Sequence, residues 1–257
     1  MKSRKQFREL VFFSVKTNLK VEVNRYALSY FWWIIEPALQ FFILYAVFGV
    51  FFGGNTNTNY IPFLFCGIIP WFWFSKSVAN GMECITKGKQ IIRDTYIPKY
   101  FFPTVSIIQD AIKEFFVLLI LLLVLLSSGL YPSKMWFFLP LIILIQLLLT
   151  ASIVYLVSII VPYFLDLKHI ITTLLQIVMF GSGTFYDFKT MPEQYHHLFL
   201  LNPFALLINM YRDVLIYQNP MNGQDVLYIL LFVIVFSLLS FIAHKFLDKE
   251  VPKVLFR

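Results

Sequence analysis

Six long apolar runs divide this chain, with short polar segments between them. They cover residues 30–52, 60–80, 104–128, 135–161, 170–186 and 226–246. An α-helix needs about 20 apolar residues to cross a hydrocarbon core of about 30 Å. The pattern therefore predicts an all-α integral membrane protein with six transmembrane helices in one domain, 1–257. The fifth run is the shortest and meets Gly181 and Gly183 near its end.

The segments between the runs carry their own patterns. Residues 4–22 read as an amphipathic interfacial helix within a cytoplasmic segment, 1–25. Lys5, Arg8, Glu9, Lys16 and Lys20 share one arc, and Phe7, Leu10, Val11 and Val21 lie opposite. A basic patch that only retains the terminus is compatible with the same residues. The segment 81–103, GMECITKGKQIIRDTYIPKYFFP, is too long for a minimal turn. It predicts a short helix that protrudes toward a soluble partner, or else a solvated basic loop. The segment 187–225 holds two apolar stretches, each too short to span, with Asn202-Pro203 between them. Asn-Pro ends one helix and starts another, so two short re-entrant helices are expected.

Composition agrees with a membrane setting. Charged residues make up 14% of the 257, against about 25% in soluble domains, and mean hydropathy is +0.75 with 30 Phe. The formal net charge of +7 does not by itself imply nucleic acid. Excess Lys and Arg in such chains set topology and meet anionic lipid heads. With both termini in the cytoplasm, only Lys134, Lys189 and Arg212 of the 21 Lys and Arg fall outside. The expected location is the cytoplasmic membrane. Cys66 and Cys84 should lie at different depths and stay unpaired.

Motifs for chemistry are sparse. There is no GxxxxGK[ST], HExxH, GxSxG or zinc-spaced Cys/His set, so neither a metal nor a cofactor is expected on this chain. His196 and His197 are poorly placed to share a metal, and with Glu193 they form at most a weak cluster. A membrane transferase should show a His/Asp pair at an interface, and none is evident.

The polar groups inside the runs are more informative. FWWIIEPALQ places Glu36 and Pro37 about two turns into the first run. Glu36 is expected to face a protein interior or to pair with a base such as Lys113. Lys113 is also spaced to pair with Asp110 or Glu114; a ragged interfacial end explains that trio equally well. Trp32, Trp33, Trp71 and Trp73 fit an aromatic belt or a sugar-stacking wall.

Order, spacing and topology together resemble a known family. SYFWWIIEPALQFFILYAVFG, GIIPWFWFSKS and the Asn202-Pro203…Arg212-Asp213 pattern are similar to the membrane subunits of ABC-2 type polysaccharide exporters. These are the O-antigen, capsule and teichoic-acid permeases. The resemblance runs nearly end to end. It implies a homodimer of six-span subunits, two copies of a cytoplasmic ATPase that bind the ATP and magnesium, and a lipid-linked glycan as substrate. It implies a channel path at Trp33, Glu36, Tyr45, Trp71 and Phe74. Coupling to the ATPase falls to Arg8, Thr86, Lys89, Arg93 and Asp94, and an outer gate to Asn202, Pro203, Arg212 and Asp213. Two departures stand out. Leu165-Asp166-Leu167 lacks the family's arginine, and GSGTFYD replaces a Ser-Pro turn.

Overall fold

A computed structural model describes residues 4–25, 31–51, 60–187, 192, 194 and 196–256. The uncharged stretch GGNTNTN at 53–59, expected between the first two spans, and Glu193 of the weak histidine cluster lie outside the described residues. The described residues form helices and turns, with no strand among them. In chain order the helices are α1 (Arg4–Arg25), α2 (Trp32–Leu44), α3 (Tyr60–Lys87), α4 (Lys89–Asp94) and α5 (Phe101–Ser127). They continue with α6 (Leu139–Ile160), α7 (Leu167–Phe180), α8 (His196–Leu200), α9 (Pro203–Arg212), α10 (Gly223–Leu247) and α11 (Val251–Leu255).

Each of the six apolar runs is occupied by a helix: α2, α3, α5, α6, α7 and α10. Among the described residues, three stretches are long and apolar enough to cross a membrane: Tyr60–Asp94, Lys134–Ile160 and Gly223–Leu247. The 27-residue α5 is as long, but Asp110, Lys113 and Glu114 interrupt its apolar sequence.

Boundaries shift where local chemistry decides them. Helix α3 runs on past Asn80 to Lys87, absorbing the start of the expected loop 81–103. The rest of that loop does form a short helix, α4. Helix α7 lies earlier than expected and stops at Phe180, because Gly183 turns back with φ +64°, a conformation that costs glycine little. Asn202 caps α9 by accepting a hydrogen bond from the Phe204 N–H (3.0 Å), and Pro203 supplies a first residue that needs no donor.

Helix α3 is the hub, packed by α5, α6 and α9, with α2 and α7 at its flanks. Lipid offers no hydrophobic drive for helices to associate, so close packing and interhelical hydrogen bonds carry the contacts. Gly81 lets α3 approach α6: a Cβ there would sit 2.6 Å from Val154 Cγ1. Helix α10 leans on α6 and leaves Leu227, Leu231, Ile234, Leu238 and Phe241 bare. That spacing makes one continuous apolar stripe suited to lipid.

Helix α1 docks on α5 through Val11, Val15, Leu19 and Val23, one residue every four. The expected apolar arc is corrected in part. Val21 is 60% exposed, because the stripe in contact with α5 is the one containing Val23.

Candidate functional site

Charged and polar side chains gather at the end of the bundle where α3 approaches its Lys/Arg-rich terminus. Glu36 on α2 pairs with Lys76 on α3 at 2.9 Å. Glu22 on α1 pairs with Lys113 on α5 at 2.7 Å. Asn80 on α3 donates to Asp110 on α5 at 3.0 Å. A cavity of about 290 Å³ opens between them, with Trp33 on its wall. The Trp33 ring stands 5.8 Å from the Lys113 ammonium.

This geometry bears out the expectation that Glu36 pairs with a base, and corrects the partner named for it and the partners of Lys113. Glu36 is paired, but with Lys76 rather than Lys113. Lys113 reaches off its own helix to Glu22 and leaves Asp110 and Glu114 aside. Both carboxylates are buried, and the second oxygen of Asp110 and one oxygen of Glu114 lack a hydrogen-bond partner. Helical spacing identified neighbours on α5, whereas the partners come from α1 and α3. Pro37, beside Glu36, cannot donate to the Trp33 carbonyl, which loosens α2 at this level.

Trp71 and Phe74 lie in the packed interior of the bundle and not on an open wall of it. They are 2% and 3% exposed and pack edge-on and tilted against Phe204 of α9. A helix surrounded on most sides spends its aromatics on packing. Of the expected path residues, Trp33 and Tyr45 are half-buried and Glu36 is exposed, all on α2 or the π-helical turn Tyr45–Phe51 that extends it.

At the opposite end, Arg212 is buried and acts as a clasp. It donates to the carbonyls of Gly183 (2.8 Å) and Thr184 (2.9 Å), with a longer contact to that of Phe63 (3.4 Å). Its guanidinium also lies 3.5 Å over the Phe63 ring. The turn in GSGTFYD thus supplies the acceptors, and Gly67 makes room. A Cβ on Gly67 would collide with the Thr184 carbonyl and come within 2.8 Å of Arg212 Nη2. Asn202 ties the same turn by donating to the Ser182 hydroxyl at 2.8 Å. The expected gate residues Asn202, Pro203, Arg212 and Asp213 are consecutive parts of one braced element, α9 with its π-helical end Asp213–Tyr217.

Glutamines inside apolar runs, Gln146 among them, suit a polar path or bonds between helices, and Gln146 makes such bonds in a buried relay beside the clasp. The Tyr211 hydroxyl bonds to Gln146 Oε1 (2.7 Å), and Gln146 Nε2 donates to the Pro70 carbonyl (2.9 Å). A glutamine in the middle of an apolar helix was the available signal, but its partners, far away in sequence, could not be read.

The basic end carries the expected coupling residues. Arg8, Lys89, Arg93 and Asp94 are exposed, and Thr86 is half-buried. Lys89 covers the Phe256 ring at 5.1 Å. The segment without the family's arginine is tied instead by Lys168, which pairs with Glu83 of α3 at 2.7 Å. Cys66 and Cys84 are free. Eighteen residues apart on one helix, they stand about 27 Å apart and cannot bridge. Among the described residues no group of three or more His, Cys, Asp or Glu could hold a metal.

An all-helical bundle with membrane-length apolar helices, a charged layer at one end and a clasped short helix at the other defines a multi-helix membrane protein. Residues 9–216 match the model of the ABC-2 type transporter family. The chain belongs to that family, and so is a membrane transport subunit. It is 29% identical over 212 residues to the O-antigen export system permease protein RfbA of Myxococcus xanthus, covering 81% of each chain. It is 25% identical over 237 residues to the protein of the same name from Klebsiella pneumoniae, covering 90% of this chain and 91% of that one. The polysialic acid transport protein KpsM of Escherichia coli is 24% identical over 230 residues, 84% and 85% of the two chains.

Proposed function

We propose that this chain forms the channel of an exporter that moves a lipid-linked polysaccharide, O-antigen in the first instance, across the cytoplasmic membrane. The observation that supports this most directly is the nearly full-length similarity to permeases named for O-antigen export. In this reading the subunit has six spans with both termini in the cytoplasm. Two copies line the channel, and two separate ATPase subunits supply the energy. The exposed faces of Arg8, Lys89, Arg93 and Asp94, with Thr86 behind them, meet the ATPase. The glycan enters beside Trp33, Glu36 and Tyr45 on α2. The braced element around Arg212 closes the outer end.

Export of capsular polymer is the second reading, favoured by the similarity to KpsM; teichoic acid and small molecules rank behind both. The test is depletion of the chain followed by localisation of polymer. Polymer made but retained inside the cell supports export. A cell that makes no polymer at all refutes the exporter role.

A further inference from the structure

An open groove of about 860 Å³ runs between α6 and α10, on a side of the bundle that the channel reading does not use. It exists because the facing positions are small. Ala151 and Ser152 on α6 lie across from Ser237 and Ser240 on α10; the two helices pack closely there, and the short side chains leave a trough along the outer edge of their seam. The walls are mainly apolar, with Leu148, Val233 and Phe241 along the length.

The groove changes character at one end. Lys245 and Lys249 stand there on successive turns of α10 and beyond it, with Tyr100 across from them. The other lysines that touch carboxylates are committed: Lys76, Lys87, Lys113, Lys168 and Lys253 all sit in ion pairs. Among the described residues neither Lys245 nor Lys249 has one. Asp248 shares the rim, but one of its oxygens already accepts from the Lys99 backbone N–H at 2.8 Å. His244 donates through Nε2 to the Tyr155 carbonyl (3.1 Å), and its Nδ1 has no partner. The rim therefore carries two uncommitted cations against one partly satisfied carboxylate.

Length supplies a second argument. Val233 to Lys245 is twelve residues, about 18 Å along a helix. One leaflet of a bilayer is half of about 30 Å. An apolar trough of one leaflet's depth, capped by basic side chains, matches a single phospholipid: acyl chain along the trough, phosphate at the lysines.

We propose that the α6–α10 groove is a binding site for an anionic phospholipid, with Lys245 and Lys249 holding its phosphate. The site is independent of what the channel carries.

Native mass spectrometry of the purified full chain tests this, with dioleoyl phosphatidylglycerol and dioleoyl phosphatidylethanolamine added at equal concentration. The wild type should retain the anionic lipid preferentially. Lys245→Gln with Lys249→Gln should remove the preference, at about fivefold per lysine. Both side chains are exposed, so this variant keeps its fold. Lys16→Gln with Lys20→Gln, a control on exposed residues of α1, should leave the preference intact. Ser237→Leu, which fills the trough, should reduce retention of both lipids. Equal retention of the two lipids by the wild type overturns the proposal. So does an equal loss in the α1 control, which would mean general attraction to a basic surface. In a second competition with a polyprenyl phosphate added at the same concentration, its retention in place of phosphatidylglycerol also overturns the proposal, assigning the groove to a carrier lipid.

Discussion

Replacing Arg212 by Met removes the clasp while keeping an apolar stem of similar length. Two short bonds from a charged donor to the Gly183 and Thr184 carbonyls are lost, and the third contact, at 3.4 Å, contributes little. Each bond from a charged group contributes about 1.5–3 kcal/mol, and each orphaned buried carbonyl adds a cost. Relief from burying a guanidinium offsets part of this. The balance is a loss of about 2–4 kcal/mol. At roughly 2–4 °C per kcal/mol for a chain of this size, the melting temperature in detergent should fall by roughly 5–15 °C. Cys66 gives a local reporter, since it is fully buried beside Gly67, where α3 meets the clasp. In a Cys84→Ser background, Arg212→Met should label with a maleimide faster than its parent below the melting transition. Arg212→Lys should fall between, because an ammonium lacks the planar fork that reaches two carbonyls at once. If Arg212→Met melts within about 2 °C of its parent and Cys66 stays equally protected, the clasp contributes nothing and the reasoning fails.

Three further outcomes follow from the same geometry. Gly67→Ala drives a Cβ into the Thr184 carbonyl and should cost about 1–3 kcal/mol as overpacking; an unchanged melt would mean that the turn after α7 yields there freely. Trp71→Ala should cost about 3–5 kcal/mol as a core truncation, and Trp33→Ala much less, since Trp33 is half-buried on α2; equal losses in thermal melts would refute the core placement of Trp71. Arg93→Ala with Asp94→Ala touches exposed groups and should change stability by no more than about 0.5 kcal/mol. In the assembled transporter it should separate ATP hydrolysis from export, and unchanged transport would remove α4 from that role.

Apolar runs located the main helices because each is long, and Asn202-Pro203 located the start of α9 because a cap and a fixed φ act within one turn. Partners across the bundle were not legible. Helical spacing offers Lys113 the carboxylates of its own helix, but the chosen partner, Glu22, lies 91 residues earlier, on a helix whose docking angle no local pattern sets. Arg212 gave a similar difficulty. The resemblance implied an outer gate there without naming its acceptors, which are backbone carbonyls of a glycine turn and carry no side-chain signature. Trp71 misled for the converse reason. An aromatic run reads alike whether it faces lipid, glycan or protein, and only the crowding around α3 decides among them.

That crowding has a mechanical consequence. One helix, α3, carries Gly67 at the clasp, Lys76 and Asn80 in the charged layer, and Glu83 beside Lys168. From Gly67 to Lys87 is twenty residues, about 30 Å of continuous helix. A proline inside a helix is where such a rod should bend, since Pro70 deprives the Cys66 carbonyl of its donor. The Pro70 carbonyl, however, is held by Gln146, which is held in turn by Tyr211 of α9, the residue next to Arg212. The weak point of the rod is braced by the element that it would have to move. A displacement applied at the Glu83 end should therefore reach the clasp with little lost at Pro70. Gln146→Leu, by freeing that joint, should weaken the mechanical link between the two ends while leaving both the charged layer and the Arg212 contacts in place. Cross-linking or spin-label distances across α3 and α9 that respond to the basic end identically in Gln146→Leu and wild type would show that the brace is idle.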